Sequence, residues 1–405
     1  GARGGRGGVP APAPPPPPPA PRPPPAGRRR RAAVVGAFVA AFGGFAHFNV
    51  LLSAMPAYAV RSGAGPAGAG ALTGALMAAA LAVQPFTPRL FARLGRRRSL
   101  VLCGALLGLP SLPLPAVTGL PALTGLSAVR GLGFGILVVA GVTFTAELFP
   151  PSARGRALGL YGAVVGVAGI LGAPLGVALA RQGSYPLAFG LAAGGAALVV
   201  AGAAGFPGGP APVPPPRSRP PKAATARALR PMTGLLLIEA ASTTAYGVLF
   251  TFLPLAASAA PAALLAAQVS SVLARLLAGR LIDRRGARRV LTPAVLMTVL
   301  GTAAGAVPPD GALLTWGFVG GALVFGAGFG AVQSATLVLL LQSADDTSAG
   351  PGVAGVAWNI AFDAGTGLGS LAGGPLYSLG GPTALFPATA GLLAVTLLAR
   401  ARGPR

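Results

Sequence analysis

Gly279-Arg-Leu-Ile-Asp-Arg-Arg-Gly-Ala-Arg-Arg289 is a charged turn set between two long apolar stretches. A worn copy, Pro88-Arg-Leu-Phe-Ala-Arg-Leu-Gly-Arg-Arg-Arg98, stands about half a chain earlier. A basic turn with a central glycine, present twice between apolar segments, predicts a duplicated membrane transporter.

Composition agrees. Of 405 residues 53% are hydrophobic and 9% charged, and the mean hydropathy is +0.71. A soluble protein of this size has no way to hide so much apolar surface. The net charge of +24 invites a nucleic-acid reading. Position argues against it, because the basic residues sit in short gaps between apolar runs and no recognition module is visible. No nucleic-acid partner is therefore expected. The one cysteine (Cys103) excludes an intramolecular disulfide, and the one histidine (His47) excludes a multi-histidine metal site. No phosphate-binding Gly-Lys-Ser/Thr loop and no catalytic constellation are present, so neither an enzyme nor direct ATP coupling is expected. No cofactor is implied.

A spanning helix needs about 20 mostly apolar residues. That ruler predicts an all-α polytopic membrane protein with twelve transmembrane helices. They fall near 33–60, 67–87, 99–118, 122–145, 157–180, 186–206, 232–257, 261–280, 290–308, 312–341, 352–373 and 383–400. The third carries Pro110, Pro113 and Pro115. Residues 1–31 are Pro- and Arg-rich and are expected to be a disordered tail. No cleavable signal sequence is expected, because the first apolar run is too long and lacks a cleavage-like end.

Basic residues orient such a chain. With both termini cytoplasmic, 27 of the 31 Lys and Arg fall in inner segments. Two, Arg61 and Arg181, fall outside, and Arg130 and Arg275 lie within helices. Other features also recur in order, roughly 190–200 residues apart. Arg93 matches Arg284, Pro56 matches Pro254, Gly131-x-Gly-x-Gly135 matches Gly326-x-Gly-x-Gly330, and Gly172-Ala-Pro174 matches Gly373-Gly-Pro375. The expected organisation is a tail (1–31), a six-helix bundle (32–206), a cytoplasmic linker (207–231), a second, pseudo-symmetric six-helix bundle (232–400) and a short cytoplasmic tail (401–405). Parallel halves of this kind place a substrate site near the midplane between them.

These residues resemble the major facilitator superfamily in its twelve-helix bacterial efflux branch, over about residues 32–402. The strongest element is the loop motif G-x-L-x-D-R-x-G-R-R. Gly279, Leu281, Asp283, Arg284, Gly286, Arg288 and Arg289 match it, with Ala287 an extra residue before Arg288. The first copy keeps Leu90, Arg93, Gly95, Arg96 and Arg97, but has Pro88 for the Gly and Ala92 for the Asp. The resemblance implies a cytoplasmic latch between the halves. Its intact acid is Asp283, and the start of the fifth helix near Arg154-Gly-Arg156 is the expected partner. A loop that fixes topology by charge alone explains the arginines but not the Gly/Asp pattern. Arg130-Gly-Leu-Gly-Phe-Gly135 resembles the family's helix-4 arginine, whose implied role is an influence on proton transfer. Gly172-Ala-Pro174-Leu-Gly176 is a partial antiporter motif.

Only seven acids exist, and intramembrane ionisable groups are costly and often functional. Asp363, at mid-depth on one helical face with Asn359 and Thr366, is a proton-coupling candidate. A structural hydrogen-bond partner is the alternative. Glu239 is a second candidate, or else a substrate contact or a vestibule carboxylate. Arg130 is a third, with snorkelling or a salt bridge as its alternative. His47 is a fourth, able to titrate near physiological pH or to serve as a hydrogen-bonded polar residue. Phe48, Asn49, Tyr246, Gln333, Trp358, Asn359 and Phe362 are candidate cavity liners. The gating candidates are Gly279, Asp283, Arg284, Gly286, Arg288, Arg93 and Gly95.

The reading is a proton-coupled secondary transporter exporting a small, largely apolar or amphipathic drug or secondary metabolite. It is expected to act as a monomer in the bacterial plasma membrane, with protons, its substrate and the lipid bilayer as partners. The alternatives are an uptake permease for a sugar or organic ion, and a substrate-sequestering protein on the same fold.

Overall fold

A computed structural model describes residues 27–209, 229–307, 311–345 and 350–402. Among the described residues there is no strand. Eleven α-helices follow one another: α1 (Gly27–Arg61), α2 (Gly65–Val83), α3 (Thr87–Gly108), α4 (Leu120–Leu148), α5 (Arg154–Arg181), α6 (Tyr185–Ala203), α7 (Thr233–Ala256), α8 (Ala260–Arg285), α9 (Ala287–Ala304), α10 (Ala312–Asp345) and α11 (Gly350–Arg402). Six start with proline as the second residue: Pro66, Pro88, Pro121, Pro186, Pro261 and Pro351. A first-turn N–H has no helical partner, so proline there costs no bond and presets φ.

Several boundaries differ from expectation. α1 begins at Gly27, so Arg28–Arg31, assigned from sequence to a disordered tail, form its first turn. Arginine is a good helix former, and the apolar run behind it supplies the nucleus. The third span ends at Gly108 rather than 118. Prolines at 110, 113 and 115 break it into two 3-10 turns, and the Tyr58 hydroxyl donates to the Leu114 carbonyl at 2.8 Å, holding one of them against α1. The expected gap between the last two spans is a two-residue break at Gly380 and Gly381 within α11. Nine stretches of the described residues are long and apolar enough to cross a membrane, with 65–116 and 353–399 each taken as one. Twelve separate spans are thus not what the helix boundaries display. Most of the 207–231 linker (210–228) and of both tails (1–26 and 403–405) lies outside the described residues.

α1–α6 pack chiefly on one another, and α7–α11 do the same. Equivalent glycines make equivalent contacts in the two groups. Gly131 and Gly135 of α4 lie on the Leu76 and Ala80 carbonyls of α2; Gly326 and Gly330 of α10 lie on the Ala267 and Ser271 carbonyls of α8. Gly133 meets α3 at Cys103, and Gly328 meets α9 at Ala294. Without a hydrophobic force between helices in lipid, such backbone approach is what packs them. The groups meet chiefly along three helix pairs, α1 with α7, α2 with α11, and α5 with α8, and more lightly where α2 touches α7. Leucines such as Leu160, Leu171, Leu276 and Leu277 remain exposed on the outer faces, as a lipid-facing surface requires.

The two copies of the charged turn share one backbone device. Gly95 has φ +77° and Gly286 has φ +82°, each with an extended ψ. Only glycine adopts that region without strain. Gly286 has open space around it, so a side chain there meets no clash, only the backbone penalty. Gly286→Val is expected to lower stability by about 1–3 kcal/mol. Thermal unfolding in detergent checks it, and an unchanged midpoint would refute the turn's dependence on glycine.

Candidate functional site

Glu239, on α7, has no exposure to solvent. Its Oε1 accepts from Gln333 Nε2 at 2.6 Å and its Oε2 from Thr336 Oγ1 at 2.7 Å, both donors on α10. Trp358 of α11 donates from Nε1 to Thr336 Oγ1 at 3.1 Å. A carboxyl group taken out of water demands such donors. Arg275 of α8 lies within electrostatic reach of it. Removing the indole donor while keeping a ring tests the chain of bonds. Trp358→Phe should cost about 0.5–1.5 kcal/mol of thermal stability, and no loss at all would show the indole bond to be idle.

Aromatic rings flank this network. Tyr246 stacks on Phe250 (4.2 Å between centroids) and on Phe329 (5.0 Å), and Phe329 continues to Phe325 (5.6 Å). Phe362 lies 6.0 Å from both Tyr246 and Trp358. Of the expected liners, Tyr246, Gln333, Trp358 and Phe362 therefore come together around Glu239. Phe329 and Thr336 were missed from sequence, although each lies one turn from Gln333 on the same helix.

Asp363, on α11, is 3% exposed. Its Oδ2 accepts from Gln84 Nε2 at 2.5 Å, the residue that caps the C-terminal end of α2 in the other group of helices. The polar face expected with Asn359 and Thr366 does not converge on it. Asn359 donates to the Gly355 carbonyl and Thr366 to the Phe362 carbonyl, both on their own helix. A second side-chain bond crosses between the groups, from Gln268 Nε2 on α8 to Asn49 Oδ1 on α1 at 3.4 Å.

His47 and Arg130 meet inside the first group, at 1% and 2% exposure. Arg130 Nε donates to His47 Nε2 at 3.2 Å, while His47 Nδ1 lies 2.9 Å from the Ala192 carbonyl. A carbonyl only accepts, so the ring proton is on Nδ1 and Nε2 offers a lone pair to the arginine. In this geometry His47 is neutral and holds Arg130. Phe48 stacks on Phe134 at 4.1 Å beside the pair rather than on the Tyr246 wall.

The charged turns lie at one end. Gly279 closes the last turns of α8, and Asp283, Arg284, Gly286 and Arg288 are exposed at the α8–α9 corner. Among the described residues Asp283 makes no ion pair. Its expected partner Arg154 donates instead to the Ala146 carbonyl at 3.0 Å. In the first copy Arg93 is exposed and Gly95 buried, its carbonyl accepting from Ser99. Where that copy lacks the acid, Arg96 pairs with Glu147 at the end of α4 at 2.6 Å.

Two helical groups packed face to face, with ionisable and amide side chains bonded across their seam, form a polytopic membrane protein. Residues 33–362 match the family model of the Major Facilitator Superfamily, and the chain belongs to that family. Among solved structures it is similar to the nucleoside transporter NupG, at 16% identity over 91% of this chain and 98% of that one, with a TM-score of 0.69. It is also similar to a bacterial homologue of the human lysosomal transporter Spinster in an inward-facing, unoccupied conformation (16% identity, 92% and 96% covered, TM-score 0.71). The human organic anion transporter MFSD10 matches at 16% identity, 91% and 99% covered and a TM-score of 0.57. At such identities the likeness is one of fold. No curated protein matches the sequence significantly.

Proposed function

We propose that the protein is a proton-coupled secondary transporter that exports a small, largely apolar or amphipathic molecule through the bacterial plasma membrane. Two six-helix bundles, twelve crossings in all, would rock about a central site with both termini cytoplasmic. In this reading 65–116 and 353–399 each cross twice, reversing at the breaks at Gly95 and at Gly380–Gly381, and α9 is the twelfth crossing. One observation carries the coupling: Asp363 is a buried carboxyl group whose hydrogen-bond donor, Gln84, belongs to the opposite bundle. Protonation at Asp363 changes what holds α2 to α11, and an acid so placed links proton occupancy to bundle movement. Glu239, bonded only within its own bundle, is the second acid beside the aromatic wall and suits contact with substrate. The exposed Asp283 is the acid of the cytoplasmic latch, engaged in the alternate state.

A second reading is uptake of a ring-bearing solute. The stacked rings of Tyr246 and Phe329 beside a carboxyl–amide pair suit a planar base or a sugar, and NupG is described as a nucleoside transporter. Proteoliposomes separate the two. Substrate-triggered proton flux is measured with a panel of amphipathic antibiotics and with nucleosides, for wild type, Asp363→Asn and Glu239→Gln. Export reads out as opposite movement of drug and proton that Asp363→Asn abolishes while binding persists. Transport against a proton gradient by both variants at wild-type rates would sink the coupling assignment. Nucleoside-driven flux in the same direction as protons would install the uptake reading.

A further inference from the structure

The outer face of the first bundle carries an open groove of about 470 Å³, between the start of α1 and the end of α6. Gly36, Gly202 and Gly205 form its floor. These glycines bring backbone onto backbone: a Cβ on Gly36 would meet the Gly202 carbonyl, and one on Gly205 the Ala32 carbonyl. Short Ala201 and Ala204 line one side, Val35 and Val39 the other. Val35 is 61% exposed. Arg31 stands at the head of the groove, four residues before Val35 and eight before Val39, so the three share one face of α1. The groove thus offers a cation at the helix start, then apolar surface over about 12 Å of helix.

The chain supplies no counter-charge for that cation. Arg30 is used internally, its Nε donating to the Leu148 carbonyl and its guanidinium lying over the Phe149 ring. Arg28, Arg29 and Arg31 are exposed and pair with no acid among the described residues. Glu147, the one acid among the first 238 residues, is already paired with Arg96. The segments that adjoin the groove in sequence hold none either. Residues 1–26 carry Arg3, Arg6 and Arg22, and residues 210–228 carry Arg217, Arg219, Lys222 and Arg227. Like charges repel, so neither segment suits an arginine-headed groove. A fitting occupant brings its own negative charge and an apolar chain.

We propose that the α1–α6 groove binds an anionic phospholipid of the surrounding bilayer, with its phosphate on Arg31 and an acyl chain laid along Val35 and Val39. A guanidinium matches phosphate oxygens with two parallel bonds, and basic grooves at the ends of membrane helices favour such headgroups. Arg28, one turn earlier, adds to the attraction.

The test is native mass spectrometry of the full-length, delipidated protein in detergent. Phosphatidylglycerol or phosphatidylcholine with the same acyl chains is added stepwise. Wild type should take up one phosphatidylglycerol ahead of any phosphatidylcholine. Arg31→Gln should weaken that first binding about fivefold, the loss of one basic residue at a headgroup. Arg156→Gln, which removes an exposed arginine at the start of α5, should leave it unchanged. Ala201→Phe fills the groove from an exposed position and should weaken the first binding while Arg31 stays in place. Equal loss in Arg31→Gln and Arg156→Gln overturns the site, as does undiminished binding in Ala201→Phe. Displacement of the lipid by millimolar inorganic phosphate would make this a free-anion site and overturns the lipid assignment. Two copies of the chain in place of lipid, separated by Ala201→Phe, would do the same. No outcome depends on the substrate, direction or coupling of transport.

Discussion

Gly365→Val should leave little folded protein. Gly365 lies on α11 where a Cβ would run into Thr243 Oγ1 and the Ala240 carbonyl of α7, and Gly369, one turn on, faces the Thr244 carbonyl. The obstacle is mainly backbone, which has no rotamer to change. The same seam carries hydrogen bonds that need the close approach: Thr243 to the Ala361 carbonyl, Thr244 to the Gly365 carbonyl, each at 3.2 Å. Prising the helices apart costs overpacking strain and these bonds together, roughly 3–5 kcal/mol. Against a total stability of about 5–15 kcal/mol that is a large share. Gly391→Val is the control. It lies on the same helix with nothing near its Cβ, so it should be close to neutral. Fluorescence-detected size exclusion of both variants is the measurement. A Gly365→Val protein as monodisperse and heat-stable as Gly391→Val would refute the packing account.

The second large effect belongs to the bond between Gln84 and Asp363. It is short, buried and charge-assisted when the carboxyl group is ionised, and it spans the α2–α11 seam. A double-mutant cycle of Gln84→Leu and Asp363→Asn should return a coupling of about 1–3 kcal/mol. Because the bond joins the bundles, part of that energy biases the balance between open and closed arrangements, about tenfold for each 1.4 kcal/mol. Gln84→Leu leaves the carboxyl group without its donor and should be the more damaging single change. Spin labels on the ends of α2 and α11 report the balance as a distance distribution. Identical distributions in wild type and both variants, with no coupling in the cycle, would reduce the bond to a passive contact.

The fold was legible because lipid imposes strong rules on sequence. Apolar runs of spanning length, the confinement of arginine to short turns, and the Gly95 and Gly286 corners each have one physical reading, and the Gly131 and Gly326 series pack alike in both halves. Where several prolines or glycines lie close together, as at 110–115 and 380–381, composition did not say whether the helix would stop, bend or turn into 3-10 geometry. The acids stood out because they are rare. Their partners did not. Gln84 and Asp363 are 279 residues apart, and nothing local to either marks the pair. Thr336 and Phe329 are ordinary residues of an apolar helix until packing sets them beside Glu239 and Tyr246. The pairing of His47 with Arg130 likewise depends on where α1 and α4 cross.

The three main helix pairs that join the bundles carry a consequence for how the protein is made. α1 with α7, α2 with α11 and α5 with α8 hold the halves face to face through the helices themselves. The peptide connection between α6 and α7 therefore sets stoichiometry and local concentration rather than the interface. Two separate polypeptides, one ending after α6 and one starting before α7, carry all the complementary surface needed to find each other in a bilayer. Split in that way and co-expressed, the protein should reassemble as a heterodimer, and the order of the halves along the gene should be exchangeable.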